Sequence, residues 1–217
     1  MFEILTQYNG LLLKGFFTTL KLLGLIILIG VPLGVWVGAY GARHSKRVNA
    51  LIKGLKFVTK VVPVLVLLFW LHFPLQAILG IVVDPFWTTV IALGFVNFVA
   101  VAYIVQTDLE LLPASYREAG LGLGLSKAQI VRYIELPIMF RRTFAAILLN
   151  QAVMLEYTLF ASLIAVPELF RVAQTINSIT YDPVSVYSLI VVFFLIILVP
   201  MHVLVSYFKR KYKVIYV

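Results

Sequence analysis

The sequence predicts an all-α membrane protein of about five transmembrane helices, organised as one domain over residues 1–217. Three observations predict it. Hydrophobic residues make up 62% of the chain and charged residues 12%, with a mean hydropathy of +1.03, far outside the range of soluble domains. Apolar runs of about twenty residues, the length needed to cross the hydrocarbon core, recur along it and leave no room for a separate soluble domain. The formal charge of +9 is carried in loops between those runs, which is the pattern of membrane topology and not of a basic nucleic-acid face.

The first span is expected from about Phe16 to Tyr40, with Gly24, Gly30, Pro32, Gly34 and Gly38 as small or bending residues that permit close helix contact. The basic segment Arg43, His44, Ser45, Lys46, Arg47 follows. Lys53, Lys56 and Lys60 carry that charge into a second span that continues to about His72 and is interrupted by Pro63 and Pro74, which allows two pieces. The third span is expected over Pro85 to Gln106, the fourth over Thr143 to Ala165 and the fifth over Ser185 to Tyr207, ending in Lys209, Arg210, Lys211 and Lys213. Between the last two, Pro167 fits a first helical position, and Leu169, Val172 and Ile176 recur at helical spacing, so a short amphipathic helix is expected at the outer surface. Five spans place the ends on opposite sides. With the N-terminus outside, 15 of the 18 Lys and Arg fall on the inner side, leaving only Lys14, Lys21 and Arg171. Glu3 stands where a cleavable signal peptide has basic residues, so none is expected. The absence of cysteine excludes disulfides and thiol chemistry.

One stretch is both polar and patterned: Ser115 to Pro137, SYREAGLGLGLSKAQIVRYIELP. Ser115 with Glu118, and Ser126 with Gln129, each fit a capping box. Gly120, Gly122 and Gly124 interrupt a long helix and favour a turn near Gly124, and the second helix is expected to stop by Leu136, before Pro137. A small residue at 120, Gly124 and Ile130 also fit a DNA-binding helix-turn-helix, but a reader pinned between two spans cannot enter a major groove, so nucleic acid is not an expected partner.

Glu118-Ala119-Gly120, Gly124, Ile134 and Leu136-Pro137 fall at the places of the E-A-A, G, I and L-P positions of a cytoplasmic loop, with glycine for alanine at 120. On these residues the chain resembles the permease subunits of binding-protein-dependent ABC importers. The resemblance implies the type I importer transmembrane fold and a loop that acts as a coupling helix in a groove of the ATPase. It also implies two cytosolic ATPase subunits carrying ATP and magnesium, a second permease subunit, identical or homologous, and an extracytoplasmic solute-binding protein. The site would be the bacterial cytoplasmic membrane. It extends from Gly15 to Lys213 and is similar to the polar amino acid branch, that of histidine, glutamate, glutamine, arginine and opines. There A-S-V-I-G-V-P-E-L is matched by Ala161-Ser162-Leu163-Ile164-Ala165-Val166-Pro167-Glu168-Leu169, and a later turn by Asp182-Pro183-Val184. Departures bear on the substrate. Phe57 stands at an acidic place, Lys60-Val61-Val62-Pro63 replaces R-G-T-P, Tyr103-Ile104-Val105-Gln106-Thr107 replaces E-I-F-R-G, and Glu156-Tyr157-Thr158-Leu159 replaces K-D-T-S.

Glu156 is the acidic residue deepest in an expected span, and a carboxylate there is costly unless paired, wetted or protonated. Either it lines a translocation path, with Tyr157 and Thr158 beside it and Asn150, Gln151 and Asn97 adding neutral hydrogen bonds, or it makes a structural contact between helices. Gly120, Gly122 and Gly124 are not followed by the Gly-Lys-Ser/Thr of a P-loop, so the chain is not expected to bind ATP or to be an enzyme. His44, His72 and His202 have no second ligand at metal spacing, and no G-x-S-x-G is present. The rival class is a secondary transporter driven by an ion gradient, for which internal repeats and paired broken helices would be expected.

Overall fold

The computed structural model describes residues 1–212, so Lys213 of the expected basic end lies outside the described residues. A short helix α1 (Phe2–Gln7) leads into the long α2 (Asn9–His44). α3 (Lys46–Val61), α4 (Val64–His72) and α5 (Pro74–Leu79) follow, then α6 (Pro85–Glu110). α7 (Ala114–Gly122) and α8 (Lys127–Ile130) form an elbow. A π-helical turn, Val131–Glu135, joins α8 to α9 (Leu136–Thr158), and a 3-10 segment, Leu159–Ile164, ends that rod. α10 (Leu169–Thr180) and α11 (Pro183–Lys211) complete the chain.

Among the described residues, four helical segments are long and apolar enough to cross a membrane: Asn9–His44, Pro85–Glu110, Lys127–Ile164 and Pro183–Lys211. The bent pair Lys46–Val61 and Val64–Leu79, which turns through 94° at Pro63, brings the number to five when it is counted as one span. The expected break is there, with Pro74 starting a third piece, because neither proline can donate to the preceding turn. α6 is central, with 72% of its most apolar stretch buried, whereas α11 is peripheral at 17%.

α2 and α6 run parallel and touch backbone to backbone. Gly30, Gly34 and Gly38 lie one turn apart on the buried face. A Cβ would meet the Asn97 amide at 2.7 Å at Gly30, Val101 at 2.7 Å at Gly34, and the Ala102 carbonyl at Gly38. Association inside a bilayer rests on such contact, because lipid tails offer no hydrophobic drive between helices. Leu22, Ile26, Leu93, Met154 and Leu155 close the core in one half of the bundle, and Val101, Val105, Leu109 and Met139 close it in the half nearer α7 and α8.

Local chemistry sets most helix starts. Asp84 and Asp182 each cap a helix whose first residue is proline, accepting from Phe86 N–H and Ser185 N–H. The hydroxyl and N–H of Ser185 hold Asp182 below the usual carboxylate range. Three expectations are corrected. α7 starts at Ala114 after Pro113, so Ser115 is already helical and makes no cap with Glu118. Pro167 lies outside α10, whose N-cap is Glu168, accepting from Phe170 and Arg171 N–H at 2.9 and 2.7 Å. The helix does not stop before Pro137. The π turn hands Leu136 N–H to the Val131 carbonyl, and this widened turn admits the proline ring within the first turn of α9.

Replacing Gly38 by Val should force α2 off α6 and cost about 1–3 kcal/mol. Gly24→Ala, where nothing lies within 4 Å of the added carbon, should be neutral or stabilising. Thermal midpoints of the solubilised protein separate the two, and equal effects would remove the close-approach account.

Candidate functional site

The elbow is built by a glycine turn and a cap. Gly124 has φ +76°, a left-handed conformation that L side chains rarely adopt, and closes the turn with bonds from its N–H to Leu121 and from Leu125 N–H to Gly120. Ser126 and Gln129 form the expected reciprocal capping box, with Ser126 N–H donating to Gln129 Oε1 at 2.8 Å. Gly120 is buried where α7 folds onto the π turn, and a Cβ there would meet Ile130 at 2.8 Å and Ile134 at 3.1 Å. That is a physical reason for glycine at 120. Ile134 and Leu136 are half-buried. Ser115, Glu118, Ala119 and Pro137 are exposed, as are the large apolar side chains Tyr116, Leu121 and Leu123, the last 80% exposed.

Behind this exposed face sits a carboxylate that sequence reasoning did not single out. Glu135, 2% exposed, accepts from Arg43 Nε at 2.7 Å and from Arg117 Nη2 at 3.0 Å. One residue at the base of α9 thereby ties the C-terminal end of α2 to the first helix of the elbow. A second pair, Asp108 with Arg142 at 2.8 Å, ties α6 to α9 about two turns further along. The signal for Glu135 was its place between Ile134 and Leu136, a charge set among apolar residues that the packing buries. Its partners were unreadable, because Arg43 is 92 residues away and looked like part of a basic run.

Half-way along the spans, Asn97, Asn150 and Gln151 come together in a closed amide network. Asn97 Nδ2 donates to the Ile26 carbonyl at 3.1 Å and to Gln151 Oε1 at 2.9 Å, and its oxygen accepts from Asn150 at 2.8 Å and Gln151 at 3.1 Å. Gln151 also donates to the Ile147 carbonyl at 3.0 Å. Asn97 and Gln151 are buried and turned on each other, locking α2, α6 and α9. Such bonds average about 0.6 kcal/mol each inside membranes. Glu156 behaves differently. It is exposed, with no hydrogen-bond or ion-pair partner among the described residues, and sits third from the C-terminal end of α9, about 30 Å along it at 1.5 Å per residue. The rod starts earlier than expected, and it runs on through the 3-10 segment to Ile164, eight residues beyond Glu156. Tyr157 is half-buried against Phe160, and Thr158 is buried with its hydroxyl on the Leu155 carbonyl at 2.6 Å. Of the residues expected along a path, the structure therefore leaves Glu156 and parts of Tyr157 and Asn150 open.

At the end of the bundle away from the elbow, Glu168 is buried and its carboxyl is raised to about 7 by burial, against the pull of its two backbone N–H donors. Thr19 of α2 accepts Leu169 N–H at 3.1 Å beside it, seating α10 on the bundle. Gln76 bridges α5 to α6, donating to Thr88 at 3.1 Å and accepting Val83 N–H at 2.8 Å. No group of three His, Cys, Asp or Glu that could hold a metal occurs among the described residues.

A bundle of spans that carries at one end a rigid, partly apolar elbow strapped to two of those spans is the architecture of a type I ABC importer transmembrane domain. Solved structures of that class superpose on it. A crystal structure of an amino acid ABC transporter with histidines matches with a TM-score of 0.86 and 26% identity over 97% of this chain and 98% of that chain. The MetNI methionine ABC transporter in an inward-facing conformation shares the fold, at a TM-score of 0.68 and 20% identity over 93% of this chain and 98% of that chain. In sequence, the chain is 26% identical to the histidine/lysine/arginine/ornithine transport system permease protein HisQ of Escherichia coli (strain K12), over 97% of each chain. It is 27% identical to the glutamine transport system permease protein GlnP of the same organism over 70% of each. Residues 30–214 match the family described as binding-protein-dependent transport system inner membrane component, and the chain belongs to that family. It is the membrane-spanning permease subunit.

Glu135→Gln keeps the shape of the triad but leaves two guanidinium groups facing each other without a counter-charge, and should cost on the order of 3 kcal/mol. Arg117→Gln removes the half-exposed partner and should cost less than about 1 kcal/mol. Equal losses in thermal unfolding would contradict a buried strap centred on Glu135.

Proposed function

We propose that the chain carries a polar or charged amino acid across the bacterial cytoplasmic membrane, driven by ATP hydrolysed on separate subunits. Support comes from the elbow: Tyr116, Leu121 and Leu123 are exposed on it outside the bundle, while Glu135 binds its base to α2 and α9 behind. An exposed apolar surface on a stiff lever is a place for a motor to grip, and the strap is what passes displacement to the spans. The relatives named for histidine, lysine, arginine, ornithine and glutamine transport support an amino acid as cargo.

The chain is then not itself an enzyme. ATP and magnesium belong to two cytosolic ATPase subunits seated on the elbow, and a solute-binding protein delivers substrate at the α10 end. A second permease subunit, identical or homologous, covers the peripheral face of α11. The basic residues Arg43, Lys46, Arg47, Arg117, Lys127, Arg141 and Arg142 gather at one end of the bundle, which supports an inside elbow, an outside N-terminus and an inside C-terminus. Closure of the ATPases moves the elbow. α9 turns with it through the π turn, and the path opens toward the binding protein.

Within that path Glu156 is the substrate contact, attracting the cationic group of an amino acid, with the Tyr157 ring beside it. Asn97 and Gln151 hold helices together, Thr158 is bonded within its own helix, and Asn150, half-buried, is bonded into the amide network.

Purifying the chain with the ATPase that accompanies it and screening amino acids, in the presence of the binding protein, for stimulated hydrolysis tests the assignment. Uptake that persists with ATP depleted and an ion gradient imposed would replace it with secondary transport. Gly124→Trp, which forces a bulky residue to φ +76°, should lower transport at least about tenfold while substrate capture by the binding protein stays intact. Retained uptake would remove the elbow from coupling. Glu156→Gln should weaken transport of cationic amino acids more than neutral ones, and unchanged affinity and specificity would return Glu156 to a structural role.

A further inference from the structure

Two cavities adjoin at the inner end of α2. The upper one, about 520 Å³, is an apolar slot between α2 and α9 walled by Val31, Val35, Trp36, Ala39, Leu136 and Phe140. The lower one, about 640 Å³, opens between the end of α2 and the elbow and is bordered by Arg43, His44, Arg117, Leu121, Lys127 and Val131. Arg43, His44 and Val131 line both, so slot and basic mouth form one continuous surface.

Its dimensions and polarity are those of a single amphiphile. Val31 to His44 spans about 20 Å of helix at 1.5 Å per residue, which is one leaflet of a bilayer about 40–45 Å thick with its headgroups. Trp36, Tyr40 and His44 stack at four-residue spacing along one exposed edge, with ring centroids 6.3 and 5.4 Å apart. Aromatic rings with a polar handle settle at the level of the headgroups. At the mouth, Arg43, Arg117 and Lys127 face the single carboxylate Glu135, so a net positive charge remains where a lipid phosphate would lie. A cytosolic protein could reach the mouth but not the slot, which runs at membrane depth.

We propose that this surface binds one anionic phospholipid, an acyl chain in the slot and the phosphate on Arg43, His44 and Lys127, joining α2 to the elbow as a third strap beside Glu135. The proposal requires only that the basic end faces water at a leaflet surface, so it stands apart from the identity of the substrate and of the motor.

The test is native mass spectrometry on the full chain, with whatever subunits accompany it, in mixed micelles of phosphatidylglycerol and phosphatidylcholine. Phosphatidylglycerol should be retained in preference. Lys127→Gln, on the exposed surface, should reduce that preference about fivefold, the worth of one basic side chain near an anionic surface. Ala39→Trp should fill the slot and expel both lipids. Should Ala39→Trp fail to fold, as judged by its thermal midpoint, Lys127→Gln decides alone. Equal retention of the two lipids, or a preference untouched by Lys127→Gln, overturns the proposal. So does displacement of phosphatidylglycerol by inorganic phosphate, or a Lys127→Gln variant that sheds the ATPase while keeping its lipid.

Discussion

The structure depends on α2 lying directly against α6. Inside a bilayer there is no water to expel from between two helices, so their attraction comes from contact and from hydrogen bonds that have no better partner. Gly30, Gly34 and Gly38 bring the backbones together, and Asn97 enters the space that Gly30 leaves and binds the Ile26 carbonyl. Gln151 joins the same network from α9, so three spans are fixed at one level by one set of amides. Every other spanning element is placed relative to this triplet.

At the elbow end the attachment changes character. Contact gives way to charge, with Glu135 held between Arg43 and Arg117 and Asp108 paired with Arg142. A buried ion pair is weak evidence for net stability, but a carboxylate gripped from two directions fixes orientation well. The elbow is therefore held as an extension of α9, with α2 tied to its base. The π turn belongs to the same device. It admits Pro137 without ending the rod, so the elbow and the span remain mechanically continuous. The opposite end is held by other means, the Glu168 cap and the Thr19 bond to Leu169, which seat α10 on the bundle.

The same contrast explains why polar residues in the spans serve different ends. Asn97 and Gln151 point inward and find each other, which satisfies them. Glu156 points outward near the end of α9 and finds nothing among the described residues, a costly arrangement for a lone chain and a reasonable one beside a cavity or a second subunit. In sequence the two kinds look alike, since both are polar residues in apolar runs. Their separation came from which face of α9 meets α6.

What the sequence determined by itself was everything carried by local periodicity and local chemistry: five passes, the break at Pro63, the turn at Gly124, the Ser126 cap and the bias of basic residues to one end. Span length, proline and positive-φ glycine act over a few residues, so they can be read from a string. Two local readings still failed, at Ser115 and Pro167, where a neighbouring residue, Pro113 or Glu168, set the helix start first. Only the tertiary structure decided that Glu135 is the strap, that Asn97 and Gln151 are a lock, and that Pro137 continues a helix through a π turn. Those outcomes depend on which residues distant in the chain arrive at the same place, and in a chain so uniformly apolar the hydropathy pattern marks a span without marking its inward face.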